Sequence, residues 1–136
     1  MDHFQKLSIV ISCIDYRFWP QSLPLLMKKY GNFDLIQIAG SGKNLISPSE
    51  KEDKITLLNN IEISIQLHNS QKLILVNHID CGAYGGSRNF KSQKEEVKFH
   101  KEEYKKAKKI IHGKFPQLPV NTELLIMGAN KKIKLL

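Results

Sequence analysis

Leu7-Ser8-Ile9-Val10-Ile11-Ser12, followed at once by Cys13-Ile14-Asp15-Tyr16-Arg17, is the stretch on which the reading of this chain turns. The first six residues form a short β-branched run ending in polar side chains, which predicts a strand. The next five place a thiol, a carboxylate and a guanidinium just past its end. Phe33 to Ile38 and Lys72 to Asn77 repeat the strand character, and Thr122 to Met127 supplies a fourth run. The third of these runs is followed directly by His78-Ile79-Asp80-Cys81, again a set of side chains that can carry chemistry.

Helical spacing fills the intervals. From Pro20 to Tyr30, Leu23, Leu26, Met27 and Tyr30 share one face before Gly31 stops the turn. Ser49 is expected to cap a second helix, entered through Glu50 and Glu52 and carrying Ile55, Leu58, Ile61 and Ile65 up to the Asn69-Ser70 break. A third is expected from about Gln93 to His112, closed by Gly113 and Pro116. Alternation of this kind predicts an α/β fold: one domain over residues 1–136, with a mostly parallel central β-sheet of about four strands flanked by helices through right-handed crossovers. Ser41 to Pro48 and Gly82 to Ser92, rich in Gly, Ser and Asn, follow the second and third strands. Ligands of open parallel sheets bind beyond the carboxyl ends of strands, so these loops are where chemistry is expected.

Composition narrows the function classes. With 136 residues and 41% of them hydrophobic, the chain suits a single core. Met1 to Lys6 do not read as a secretory signal, and no apolar run approaches the ~20 residues of a membrane span, so a soluble cytoplasmic protein without a membrane partner is expected. In that reducing compartment the only two cysteines, Cys13 and Cys81, are expected as thiolates rather than a disulfide. The formal charge of +8 rests on 19 lysines and two arginines, Arg17 and Arg88. Base reading leans on arginine forks, so nucleic acid is not expected as a partner. Along the third helix, Glu95, Glu96, Glu102 and Glu103 are expected to interrupt the lysines of a solvated face.

The ends of two neighbouring parallel strands lie on one edge of a sheet, so Cys13 and the pair His78 and Cys81, 65 residues and more away, could meet around one ion. Zinc favours thiolate and imidazole donors, and catalytic sites commonly combine three protein ligands with an open fourth position. Two cysteines and one histidine match that set, with no fourth Cys or neighbouring His to close it. Asp15 and Arg17 stand two apart, and an extended continuation of the strand would let them project together as a bidentate pair near the metal. Spacing alone equally allows a surface ion pair worth under about 1 kcal/mol.

Cys13-x-Asp15-x-Arg17, then Ala39-Gly40 after one helix-and-strand unit, then His78-x-x-Cys81-Gly82, together resemble the signature of the β-class carbonic anhydrases. The resemblance runs from about Leu7 through Ala83 and more loosely to Gly128. It implies a Zn2+ ion held by Cys13, His78 and Cys81, with Asp15 and Arg17 as a catalytic dyad beside the fourth coordination position. The implied activity is that of a carbonate dehydratase, hydrating carbon dioxide reversibly to bicarbonate through a zinc-bound hydroxide. Alternatives within the resemblance are hydrolysis of carbonyl sulfide or carbon disulfide, and a zinc protein without turnover that binds bicarbonate or a partner. Ile14, Ile79 and Ala83 are candidate walls of a dry pocket, with the core as their other expected place.

Departures from the family pattern set further expectations. Members often carry Arg-Asn-Ala-Gly-Asn after the second strand, where this chain reads Gln37-Ile38-Ala39-Gly40-Ser41, and their usual glycine before the metal histidine is Asn77 here. A homodimer is implied by the resemblance, but only 12 residues precede Cys13, too few for the helical arm that builds the family's full interface.

Overall fold

Residues 6–136 are described by a computed structural model. Within them the order is β1 (Ser8–Ser12), α1 (Trp19–Tyr30), β2 (Phe33–Gln37), α2 (Lys43–Ile46), α3 (Lys51–His68), β3 (Lys72–His78), α4 (Gln93–Lys114), β4 (Val120–Met127) and β5 (Ile133–Leu135). The strands form one sheet in the order β2-β1-β3-β4-β5. β1 pairs in parallel with β2 and β3, β3 pairs in parallel with β4, and β5 returns antiparallel on β4. The mostly parallel α/β sheet expected from the sequence is therefore present, with five strands instead of about four. Only three residues make up β5, too few for their apolar pattern to register as a run.

The central strands are apolar on both faces because both faces are covered. Ile9, Ile11, Leu73 and Leu75 pack with Leu57 and Ile61 of α3 and Ala107 and Ile111 of α4. Val10, Ile74 and Val76 point the other way, onto Leu26 of α1 and Leu125 and Ile133 of the later strands. Period-two alternation thus survives inside runs that look uniformly hydrophobic, sorting each strand between two core layers.

Helix ends follow local chemistry, with two corrections. Glu50, in extended conformation, is the N-cap of α3 rather than Ser49, and the Asp53 carboxylate accepts its N–H at 3.4 Å. Gly113 does not stop α4, which runs on to Lys114; Phe115 then leaves helical geometry because Pro116 disfavours it in the preceding residue. Ser92 caps the start of α4, accepting from the Glu95 N–H at 3.2 Å. A third correction concerns charge: Glu96 is buried and turned toward the loop after β3, so Glu95, Glu102 and Glu103, the last buried yet 3.7 Å from Lys106, are the glutamates that interrupt the lysines. None of the described helices is long and apolar enough to cross a membrane.

Candidate metal centre

Strand register brings the candidate residues together. Ile11 pairs with Leu75 and Ser12 with Gln37, so β1 and β3 end side by side, with Cys13 one residue past β1 and His78 the last residue of β3. The chain leaves β1 for β2 on one side and later enters β3 on the other, so the site lies at the reversal of strand order where open α/β sheets bind ligands.

One ligand atom from each of Cys13, His78 and Cys81 lies within 4.8 Å of the other two. His78 is 1% exposed, and its Nδ1 donates to the Ile79 carbonyl at 2.6 Å. That bond leaves Nε2 as the lone-pair nitrogen, and Nε2 is buried without a hydrogen-bond partner among the described residues. Leaving such an atom unsatisfied costs about 1–3 kcal/mol, and a cation between it and the two sulfurs would satisfy it. The His78 ring stacks on Phe18 with centroids 4.2 Å apart, fixing its plane.

The sulfurs complement the nitrogen. Chiefly through a hydrogen bond from Cys81, and against its own burial, the Cys13 thiol is lowered well below its ordinary value; the Gly40 N–H, 3.4 Å from Sγ, adds to the effect. Cys81 is pushed upward by the Cys13 thiolate beside it and by burial. One thiolate therefore forms readily, and the second needs a positive charge to form. A divalent cation that prefers sulfur and nitrogen fits this donor set.

Asp15 and Arg17 do pair, but not by the expected route. β1 ends at Ser12 and the chain turns, the Asp15 carbonyl accepting from the Phe18 N–H at 3.0 Å. Within that turn Asp15 Oδ1 accepts the Arg17 backbone N–H at 2.9 Å, and the guanidinium grips the carboxylate through Nε at 3.1 Å and Nη2 at 2.7 Å. The turn, not an extended strand, sets the pair. Arg17 holds the Asp15 carboxyl below its usual range. Asp15 Oδ2 also lies 3.7 Å from His78 Nε2, so the dyad sits against the cluster rather than out on the surface.

Several residues to which the sequence reading gave no role in the site hold it in place. Arg17 also donates from Nη1 to Asp80 Oδ2 at 2.8 Å and from Nη2 to the Asp80 carbonyl at 2.9 Å, tying the exits of β1 and β3. Asp80 adopts a left-handed φ of 56°, a conformation aspartate tolerates better than most residues. Glu96, 2% exposed, accepts the Asp80 N–H at 2.6 Å and the Ser87 hydroxyl at 2.8 Å. Asn77 is buried, accepting the Gly42 N–H at 3.1 Å while its amide nitrogen lies 3.1 Å from His100 Nδ1. Gly40 has φ +85°, and a Cβ there would sit 2.9 Å from the Ala83 Cβ, so the Ala39-Gly40 turn packs directly on the loop after Cys81. The capacity of Asp80 for hydrogen bonding was readable in the sequence; the inward face of Glu96 was not.

Other candidates fall elsewhere. Ile79 belongs to the core, Ile14 is 57% exposed, and Tyr16 and Trp19 are exposed while Phe18 is the buried aromatic at the site. His68 pairs with Asp34 at 2.8 Å, His112 meets the Leu118 carbonyl at 2.8 Å, and His100 packs inside, lowered to about 4 by burial and by His78. A concavity of about 530 Å³ adjoins the cluster, lined by Asp15, Arg17, Asp80, Arg88 and the glycines of the following loop. Another of about 500 Å³ follows β2 and α3 beside Leu35, Ile63 and Leu67 and contains none of the cluster, so donor chemistry rather than size selects the site.

The fold and this arrangement define an α/β protein with a candidate Cys-His-Cys metal centre at the sheet's switch point. Residues 3–132 match a family described as "Putative carbonic anhydrase", and the chain belongs to that family. It is 34% identical to an uncharacterized protein of Rickettsia bellii (strain RML369-C), the match covering 91% of this chain and 81% of that protein. An uncharacterized protein of Rickettsia conorii (strain ATCC VR-613 / Malish 7) is also 34% identical, with coverage of 91% and 72%.

Proposed function

We propose that the protein is a zinc-dependent carbonic anhydrase, hydrating carbon dioxide reversibly to bicarbonate, with Cys13, His78 and Cys81 as the zinc ligands and Asp15 and Arg17 as the catalytic dyad. The observation that carries the reading is the buried, unpartnered His78 Nε2 facing two cysteine sulfurs, with an arginine-held carboxylate 3.7 Å away. Zinc bound there acidifies a coordinated water and so supplies a nucleophile near neutral pH. Asp15, kept ionised in the grip of Arg17, can only accept hydrogen bonds, so beside a bound metal it would accept one from the nucleophilic oxygen and orient it toward the substrate carbon. The contacts from Arg17 hold Asp15 next to the three candidate ligands. Phe18 shields the imidazole face from water.

A second reading, a zinc protein that binds bicarbonate without turnover, is favoured by one feature. The cavity beside the cluster is walled by charged residues and glycine, with Ile14 turned to solvent rather than forming an apolar lining for carbon dioxide. Stopped-flow hydration of carbon dioxide, on protein assayed for zinc in the same sample, separates the two. Turnover that rises with pH and disappears on chelation is the expected result; full zinc loading without turnover at any pH selects the second reading. Carbonyl sulfide and carbon disulfide offer their carbons to the same nucleophile and belong in the same assay.

A further inference from the structure

The chain's two arginines, among 21 basic residues, both line the cavity beside the metal cluster. Arg17 is committed: Nε and Nη2 bind Asp15, and Nη2 and Nη1 bind Asp80. Arg88 makes no ion pair and no side-chain hydrogen bond among the described residues. Among the described residues it is the guanidinium of this wall left without a partner.

The backbone under Arg88 is nevertheless fixed. Arg88 sits in a short 3₁₀ turn, Ser87–Asn89, whose first N–H binds Asp80 Oδ1 at 2.8 Å and whose first hydroxyl binds the buried Glu96 at 2.8 Å. Gly86, at φ +78°, leads into the turn, and a Cβ there would press on Asp80 Oδ1 at 3.1 Å. A free fork on an anchored turn beside a reaction centre is a recognition element for a planar oxyanion. Charge supports the same conclusion. Two thiolates would neutralise a divalent ion, leaving Asp15, Arg17, Asp80 and the Glu96 carboxylate behind Asp80 with a formal net charge of −2 that repels an anion. Arg88 offsets part of that charge at the cavity wall.

Building on the function proposed above, we propose that Arg88 forms an oxyanion subsite at the mouth of the metal centre, taking bicarbonate through a two-point contact. The test titrates zinc-loaded wild type, R88Q and R88K with 13C-bicarbonate at fixed ionic strength, reading line width, with zinc content and thermal midpoint as controls. R88Q should weaken bicarbonate binding about tenfold, as expected for losing one charged contact, with R88K in between and both controls unchanged. Binding by R88Q equal to wild type, or no binding by wild type, overturns the subsite. Turnover is read separately on the wild type: Arg88-dependent binding without turnover supports the subsite and removes the catalytic reading, whereas turnover with binding indifferent to R88Q removes the subsite alone.

Discussion

The Asp15 carboxylate stands between two claimants, the Arg17 guanidinium at 2.7 Å and the cluster edge at His78 Nε2, 3.7 Å away. Its charge, more than its shape, holds it in that position. Asp15→Asn keeps the shape, so zinc content should stay at the wild-type level while carbon dioxide hydration falls roughly 10²-fold, as expected on losing a positioned proton acceptor. Equal rates in the two proteins would remove Asp15 from the chemistry. His100 carries a different residue-level prediction. Burial holds its folded-state value at about 4 against 6.5 for the free side chain, so the unfolded chain binds the extra proton first as pH falls. Its contribution is fully present above pH 6.5 and is lost between 6.5 and about 4, up to about 3 kcal/mol. Urea unfolding of metal-free wild type and His100→Gln across that window should give a shallower pH slope for the variant; parallel slopes would contradict it. At this scale the candidate ligands were legible, because thiol and imidazole announce their chemistry. The partners of Arg17 were only half legible: spacing offered Asp15 as a partner, though a turn and not an extended strand makes the contact, whereas Asp80 is reached across 63 residues by the folded sheet.

At the scale of elements, α4 acts as a strut for the loop after β3. Glu96 reaches from its first turn to two donors, the Asp80 N–H and the Ser87 hydroxyl, so one buried carboxylate fixes both ends of the segment between them. Glu96→Gln replaces a charged acceptor with an amide that can satisfy only one of these donors as well, and should cost about 1–3 kcal/mol in urea unfolding. An unchanged midpoint would show that the loop holds itself. In sequence Glu96 looked like part of a solvated charge pattern, because i and i+4 spacing says which residues share a face but not which face meets the core. Similar reasons hid α2 and β5. Four residues of helix after Gly42, and three of strand before the last residue, are too short for periodicity to show. The apolar centres of β1 and β3 were legible because burial on both faces leaves them without polar interruptions.

For the whole molecule, an ion bound at the candidate centre would couple to the fold. Cys13, His78 and Cys81 leave two adjacent central strands, so an ion held by all three would cross-link the middle of the sheet. With zinc at about 1,000 times its dissociation constant, wild type should gain about 4 kcal/mol over its metal-free form. Cys81→Ser should lose most of that gain while its metal-free stability stays near that of metal-free wild type; stoichiometric zinc retained by the variant would overturn the ligand assignment. Sequence order indicated alternating strands and helices, but the placement of β1 beside β3, on which the site depends, is given by the strand pairing that runs from Ser8 with Lys72 to Ile11 with Leu75. The most direct test of that account is zinc K-edge X-ray absorption on the zinc-loaded protein. The predicted spectrum shows two sulfur donors at about 2.3 Å with one imidazole nitrogen and one further light donor at about 2.0 Å; a first shell with no sulfur, or with only one, would contradict it.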